Sequence, residues 1–313
     1  DGDSTEVAGN IGLPLTENGF VNASFQMKNA DATSRSVQRQ DALEFIAAGN
    51  TSIPAIAQVW GSPEINDDIT MFINSGLELG DGREAYMFGN YSERDVTGGF
   101  YYRNPHNRGG VYSNDGGTPL LVAQLDPKIA CPTVNITTGN VLTQPDYALI
   151  ADKNTTVGKN CFAFNEMFPG GFTPTFGGNV TDTALAMGTK GTFKSGWLHD
   201  IMYDFSGSVG RNESTYKMTN TINASLGPET PTEFNPGRYI QLEKTFSADF
   251  VKFVPAGLYE DVTVAFGSQW TEESFEVVAG DVSSYIAGPY VAQGFSIGSN
   301  GFPGFKPEDG GIY

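Results

Sequence analysis

Histidine and paired acids are the residue types here that could support catalysis. His106 and His199 are the only histidines in the 313 residues, and a nucleophilic triad needs a Ser, a His and an acid that meet in space. The adjacent acids Glu272 and Glu273 would point to opposite faces of a strand, so they cannot act together as a glycosidase pair. The sequence contains neither a phosphate-binding glycine loop nor a calcium loop. We therefore predict a protein that is not an enzyme, with no catalytic residue, metal ligand or cofactor.

The two cysteines support a different chemistry. Cys131 and Cys161 lie in a stretch rich in Gly, Pro, Asn and Thr, and a metal site would require further Cys or His residues at tight spacing. Two reduced thiols are one interpretation. The favoured interpretation is a disulfide within an exposed loop, which would contribute roughly 3–4 kcal/mol in the chain-entropy account. Such a bond requires an oxidising compartment.

Aromatic residues are concentrated in the long segments that connect the predicted strands. These loop aromatics are Phe100, Tyr101, Tyr102, Phe162, Phe164, Phe168, Phe172 and Phe176. Exposed aromatic clusters often bind ligands, so they could form the mouth of a ligand path. The alternative is that they pack a large loop into a compact lid. The sequence favours neither of these two interpretations over the other.

Composition narrows the class of protein. The chain has 36 acidic and 18 basic residues, a net charge of −18, and no basic patch. Nucleic acid is therefore excluded as a partner, because a phosphate backbone requires clustered cations. Aromatic residues make up 12% of the chain and glycines number 39. This mixture is typical of a β-rich protein with many turns.

Apolar and polar residues alternate in four successive hairpins, which predicts about eight antiparallel strands. The approximate strand pairs are 7–15 with 21–27, 69–79 with 85–93, 180–191 with 197–211, and 238–252 with 261–277. One face carries Trp197, Phe205, Leu242, Phe266 and Trp270, and the other carries Asp200, Asp204, Gln241, Asp249 and Gln269. The apolar face would contact lipid in a membrane protein and the core in a soluble one. Lys244 falls on the apolar face, where it must reach a polar rim.

The lengths of the connections also alternate. Short connections at about 16–19, 80–83, 192–196 and 253–260 separate long ones at about 29–66, 95–179, 212–237 and 278–313. All long loops would then lie at one end of the sheet. A sandwich with Greek-key connections has no reason to do this, whereas an outer-membrane barrel does. We therefore predict an all-β, antiparallel up-and-down meander.

Several motifs resemble the barrel strands of TonB-dependent outer-membrane receptors. The segments that carry the resemblance include Val264-Ala-Phe-Gly-Ser-Gln-Trp270, Gly280-Asp-Val-Ser-Ser-Tyr285, Ala85-Tyr-Met-Phe-Gly-Asn-Tyr91 and Asn165-Glu-Met-Phe-Pro-Gly-Gly-Phe-Thr-Pro174. The resemblance implies a 22-stranded transmembrane β-barrel around a plug. Residues 1–313 would form part of that barrel, without the plug domain or the segment that binds TonB.

The resemblance also implies a function. Receptors of this family import scarce, bulky nutrients such as ferric siderophores, haem, cobalamin or carbohydrates across the outer membrane of Gram-negative bacteria. The expected partners are outer-membrane lipid, TonB acting through the plug region, and a small-molecule or oligosaccharide ligand. The alternative is a secreted, soluble β-sandwich or adhesin-like protein that binds glycans. The location of the apolar strand face distinguishes the two, because a sandwich buries this face and a barrel exposes it to lipid.

Overall fold

The computed structural model describes residues 2–136 and 139–312. Eight long strands dominate it, and each contains the period-two alternation of apolar and polar residues. Their bounds are β1 Ser4–Thr16, β2 Gly19–Ala30, β3 Glu64–Gly80, β4 Arg83–Gly99, β7 Thr175–Thr192, β8 Met202–Thr219, β9 Glu233–Val254 and β10 Val262–Ala279. The short strands are β5 Ala123–Gln124, β6 Cys161–Phe162 and β11 Gly311–Ile312.

Helices are short and lie outside the long strands. They are α1 Gln40–Ala47, α2 Pro145–Ala151, α3 Thr156–Asn160 and α4 Val282–Tyr285. Single turns of 3-10 helix occur at Val141–Thr143, Phe164–Glu166, Gly196–Leu198, Val291–Gln293 and Pro307–Asp309, and two such turns meet at a kink at Gly227 within Ala224–Glu229. No helix in the described ranges is long and apolar enough to cross a membrane.

The long strands form one antiparallel sheet in the order β1-β2-β3-β4-β7-β8-β9-β10-β11, so each strand pairs with its neighbours along the chain. This confirms the predicted all-β antiparallel meander. The tight turn between β3 and β4 has Asp81 at φ 56° and Gly82 at φ 73°. Two successive positive φ angles match the twist of a hairpin, which explains the Asp-Gly sequence at this turn.

Long connections meet at one end of the sheet, as predicted. They are residues 31–63, 100–174, 220–232 and 280–310, and together we call them the loop layer. The short connections lie at the opposite end. One of them, residues 193–201, is longer than expected because β8 begins only at Met202. Trp197, His199 and Asp200 therefore lie in this connection and not in a strand, which corrects the sequence-based prediction.

The buried apolar residues lie almost entirely in the loop layer. Its largest cluster includes Val111, Tyr112, Ile136, Ile150 and Phe164, all at most 1% exposed. A smaller cluster packs Ala42 of α1 against Tyr102. Among the described residues of the long strands, only Met218 and Phe234 are buried large apolar side chains. The sheet therefore supports the loops but contributes little to their core.

Candidate functional site

The strand register places a continuous set of apolar residues on one face of the sheet. Directly paired residues of antiparallel strands have their side chains on the same face. Phe266 pairs with Phe250, and their rings stack at 5.2 Å. Trp270 pairs with Phe246. Phe266 is 53% exposed and Trp270 is 54% exposed, so no described part of the chain covers this face.

The five residues predicted to face lipid do not all belong to this apolar face. Phe205 pairs with Ala248, and Leu242 pairs with Ser274, so both share the face of Phe266. Phe205 and Leu242 are half-buried, and the ring of Phe205 contacts Phe250 edge-on at 5.6 Å. Trp197 is 88% exposed but lies in the connection before β8. It is therefore a turn residue at the short-connection end.

Ion pairs replace apolar residues on this face towards the loop layer. Lys244 pairs directly with Glu272, and its Nζ lies 2.9 Å from Glu272 Oε1. On the adjacent strands, Arg238 Nη1 lies 3.2 Å from Glu213 Oε1. The charge of Lys244 is thus paired with that of Glu272 on this face. Leu242 lies beyond Lys244 towards the loop layer, so the ion pair interrupts the apolar residues and does not mark their end.

The opposite face of the sheet is polar. A groove of about 480 Å³ crosses its middle and is lined by side chains that include Asn90, Asp182, Asn212, Gln241 and Glu243. Asn212 Nδ2 donates a hydrogen bond of 2.7 Å to Asp182 Oδ1. Amides and carboxylates of this kind can hold water or a polar ligand. The polar face is therefore the surface that could form a hydrophilic path.

Aromatic rings cover the end of the polar face that lies beneath the loop layer. Phe176 stacks on Tyr216 at 5.7 Å, and Phe302 lies 5.1 Å from each of these two rings. Phe100 contacts Phe176 at 6.4 Å. A groove of about 650 Å³ runs beside these rings, and Trp60 also lines it. Sequence reasoning missed Trp60, Tyr216 and Phe302, because only the register and the returning loop bring them together.

Most of the aromatics predicted as a ligand mouth pack the interior of the loop layer instead. Tyr102, Phe162, Phe164 and Phe172 are each at most 7% exposed, and Phe168 packs against Phe172 at 4.9 Å. A connection of this length needs its own apolar core to offset its ordering entropy. These residues correspond to the compact-lid interpretation.

Three of the predicted mouth aromatics do lie at the groove or the surface. Tyr101 is 54% exposed and meets Trp60 edge-on at 5.1 Å. Phe100 and Phe176 are half-buried and line the groove of about 650 Å³. The aromatic surface open to a ligand is therefore formed by Trp60, Phe100, Tyr101 and Phe176.

A disulfide joins Cys131 and Cys161, as the sequence predicts, with their Cα atoms 5.7 Å apart. That separation is within the usual range for a bridged pair. Asn160 reinforces the same crossing, because its Nδ2 donates to the carbonyl oxygens of Ile129 at 2.7 Å and Asp126 at 3.2 Å. The bond therefore fastens residues 126–131 to strand β6 inside the loop layer.

His106 is a half-buried residue of the loop layer. Its ring lies 5.8 Å from the ring of Phe45 in α1, and burial lowers the pKa of its imidazole below the usual value. Elsewhere in the loop layer, burial raises the pKa of the Tyr147 hydroxyl to about 12. His106 is therefore held as the neutral imidazole at neutral pH.

No metal-binding cluster occurs within residues 2–136 and 139–312, because no group of three or more His, Cys, Asp or Glu residues there could hold a metal ion. Neither a family model nor a curated protein matches the sequence.

Proposed function

We propose that this chain is a β-barrel segment of a TonB-dependent outer-membrane receptor that imports a scarce, bulky nutrient. The observation that carries the proposal is the uncovered apolar face of the sheet. Phe25, Met71, Phe246, Phe266 and Trp270 lie on that face and are each at least 39% exposed. In water such a patch would promote aggregation. Outer-membrane lipid would cover it.

The arrangement of the connections supports the same proposal. Strands of 12 to 22 residues exceed the 9–11 or so that a tilted strand needs to cross the hydrocarbon core. Tight turns at one end and long loops at the other match the periplasmic and extracellular ends of outer-membrane barrels. The remaining wall of a 22-stranded barrel would pair with the edge of β1 and with the part of β10 that the short strand β11 leaves unpaired.

The polar face and the loop layer supply the elements that uptake requires. The groove lined by Asn90, Asp182 and Asn212 would face a hydrated lumen, and the loop layer would close its outer end. The aromatic surface of Trp60, Phe100, Tyr101 and Phe176 would meet an incoming ligand. The substrate classes remain those of the family, namely ferric siderophores, haem, cobalamin and carbohydrates. TonB would supply the energy through the plug region.

The rival proposal is a secreted β-sandwich that binds glycans. A sandwich packs two sheets face to face at about 10 Å and buries both inner faces. The second sheet among the described residues is the two-residue pair β5–β6, which lies within the loop layer. It does not cover Phe266 or Trp270. The uncovered face therefore favours lipid as the neighbour of the sheet.

The three tryptophans provide a direct test, because each lies in a different region. Trp60 is in the loop layer, Trp197 is in a short connection, and Trp270 is on the apolar face. Variants that retain one tryptophan, with Phe at the other two positions, would be reconstituted into vesicles containing brominated phospholipid. We expect strong quenching of Trp270 by the brominated chains. Trp60 should respond mainly to a water-soluble quencher.

The comparison between Trp60 and Trp270 is the internal control, since both are about half exposed, at 52% and 54%. Because the two side chains are equally exposed, a difference in their quenching by brominated lipid cannot arise from accessibility alone. If brominated lipid leaves Trp270 unaffected while acrylamide quenches it as strongly as Trp60, the sheet does not face lipid. The proposed receptor function would then be abandoned in favour of the secreted protein.

A further inference from the structure

Two arginines at the base of the loop layer have no acidic partner. Arg103 is 7% exposed and Arg108 is half-buried, yet neither forms a salt bridge within the described residues. Five of the other six arginines, Arg39, Arg83, Arg94, Arg211 and Arg238, pair with carboxylates, and the sixth, Arg35, is exposed to solvent. Among the described residues, Arg103 and Arg108 are therefore the arginines that are withdrawn from solvent without an acidic partner.

Their hydrogen-bonding capacity is largely unused. A guanidinium has five N–H donors. Arg108 Nη2 donates to Asn300 Oδ1 at 3.2 Å, whereas the Nε atoms of Arg103 and Arg108 are buried without a partner. The Arg103 guanidinium lies over the ring of Phe100, with Arg103 Cζ 5.5 Å from the ring centroid. Phe100 in turn lines the groove of about 650 Å³.

Two further buried polar atoms without partners lie next to this segment. They are Asn165 Oδ1 and Ser296 Oγ. Asn165 Nδ2 donates to the carbonyl oxygen of Pro105 at 3.1 Å, and the backbone N–H of Ser296 donates to that of Gly110 at 2.9 Å. All four unpartnered atoms found in the described residues therefore belong to residues 103–110 or to residues bonded to that segment.

The site lies where two loops approach closely. A Cβ at Gly110, where φ is +69°, would lie 2.7 Å from Ser296 Cβ. The positive φ and this close approach both favour glycine at position 110. Arg108 Nη2 also bonds to Asn300 Oδ1 across the same junction. Residues 103–110 and 296–300 thus form a polar seam between the loops, which we call the arginine seam.

The positive charges of Arg103 and Arg108 have no counter-charge in the arginine seam. Burial, together with the smaller effect of the neighbouring positive charge of Arg108, lowers the pKa of Arg103 to about 10. Burial also lowers the pKa of Arg108. Two like charges removed from water destabilise a protein unless a counter-charge neutralises them.

We propose that the arginine seam binds the carboxylate or phosphate group of a small-molecule ligand. Oxyanions accept charge-assisted, bidentate hydrogen bonds from guanidinium groups, and Arg is the residue best suited to them. The ring of Phe100 would hold the apolar part of the ligand beside the charged group. That this ligand is imported rests on the proposed function. It narrows the imported ligand to an anionic compound and excludes a neutral sugar.

Inorganic phosphate and citrate are suitable probes. The purified full chain in detergent would be unfolded thermally in phosphate, citrate or chloride at equal ionic strength. We expect phosphate and citrate to raise the midpoint above that in chloride, since a ligand of the folded state stabilises it by mass action. The Arg103→Gln and Arg108→Gln variants should each raise the apparent dissociation constant for phosphate and citrate by about tenfold or more. The same anion concentration should then raise their unfolding midpoints less than that of the wild type.

Arg83→Gln is the matched control, because it removes the same charge at the short-connection end of the sheet, where Arg83 is exposed. This variant should respond to phosphate as the wild type does. Equal midpoints in phosphate, citrate and chloride for the wild type would overturn the proposal, and that comparison requires no variant. Loss of the response in Arg83→Gln would also overturn it. Because binding is measured in detergent, this result is independent of whether Trp270 contacts lipid.

Discussion

The sheet and the loop layer place their apolar residues in opposite environments. In the loop layer, residues such as Tyr112, Ile136 and Phe164 are at most 1% exposed. In the sheet, Phe266 and Trp270 are more than half exposed. The loop layer thus buries its apolar residues as proteins in water do, whereas the sheet leaves its apolar face uncovered. If the sheet lies in a membrane, as we propose, that face would contact lipid.

The largest effect should come from emptying the core of the loop layer. Phe164 is fully buried and meets Phe162 at 5.0 Å and Phe295 at 5.9 Å. Replacing it by Ala should cost about 3–5 kcal/mol, because a cavity adds to the lost burial. Hydrogen exchange should show faster opening of residues 100–174 with strands β7 to β10 unchanged. Equal loosening of loop layer and sheet would show that the two regions unfold as one unit.

Removal of the disulfide should also act on the loop layer alone. Replacing Cys131 and Cys161 together by Ser should cost roughly 3–4 kcal/mol, because the bond restricts the unfolded loop. The expected result is faster proteolysis within residues 100–174. Reducing agent should have the same effect on the wild type and none on the double variant. If reduction leaves the cleavage rate of the wild type unchanged, the bond does not stabilise the loop.

The third prediction compares the two faces of β10. Phe266→Arg, on the apolar face, should destabilise the lipid-reconstituted protein by about 2–4 kcal/mol if position 266 lies near mid-bilayer. Gln269 lies on the polar face of the same strand, and Gln269→Arg should be tolerated. Urea unfolding in vesicles would measure both. If the two variants lower the free energy of unfolding by similar amounts, the apolar and polar faces do not differ in their contact with lipid.

The smallest effect concerns the pH response of the loop layer. Burial lowers the pKa of His106 in the folded state, so the unfolded chain binds a proton more readily as the pH falls. The contribution of neutral His106 to the free energy of unfolding is complete above the pKa of histidine in the unfolded chain, about 6.5. This contribution is lost as the pH falls through the lower pKa of His106 in the folded chain. Compared with the wild type, His106→Gln should lose less stability between about pH 7 and pH 5.

Chemical denaturation at several pH values would detect this difference, because the carboxylates contribute equally to both proteins. A pH response that is unchanged by His106→Gln would show that this imidazole titrates alike in the folded and unfolded chain.

The strands were predictable from the sequence because each has one apolar face. The alternation in residues 262–270, for example, requires no knowledge of distant contacts, and the lengths of the connections then determine the order of the strands. Trp197 was misplaced because an aromatic residue beside a strand fits the same period-two pattern. The turn of 3-10 helix at Gly196–Leu198 interrupts that pattern without a proline to mark it.

The loop layer was much less predictable. Its core joins residues far apart in sequence, such as Phe164 and Phe295, and no local period encodes such a contact. The division of the eight loop aromatics between core and surface depends on that packing, so the sequence left both interpretations open. Arg103 and Arg108 also had no local signal, since the absence of an acid nearby is visible only in three dimensions.

The position of the longest connection has a consequence for the order of folding. Gly99 and Thr175 pair across the whole of residues 100–174, whereas most other strand pairs are joined by shorter segments. Closing a loop of this length in place of a two-residue turn costs roughly 3 kcal/mol of chain entropy. Arg103 and Phe172 exchange two backbone hydrogen bonds at the base of that connection, which hold its ends together. We therefore expect the loop layer to become ordered before β4 and β7 pair, because its contacts hold the two ends of the connection together.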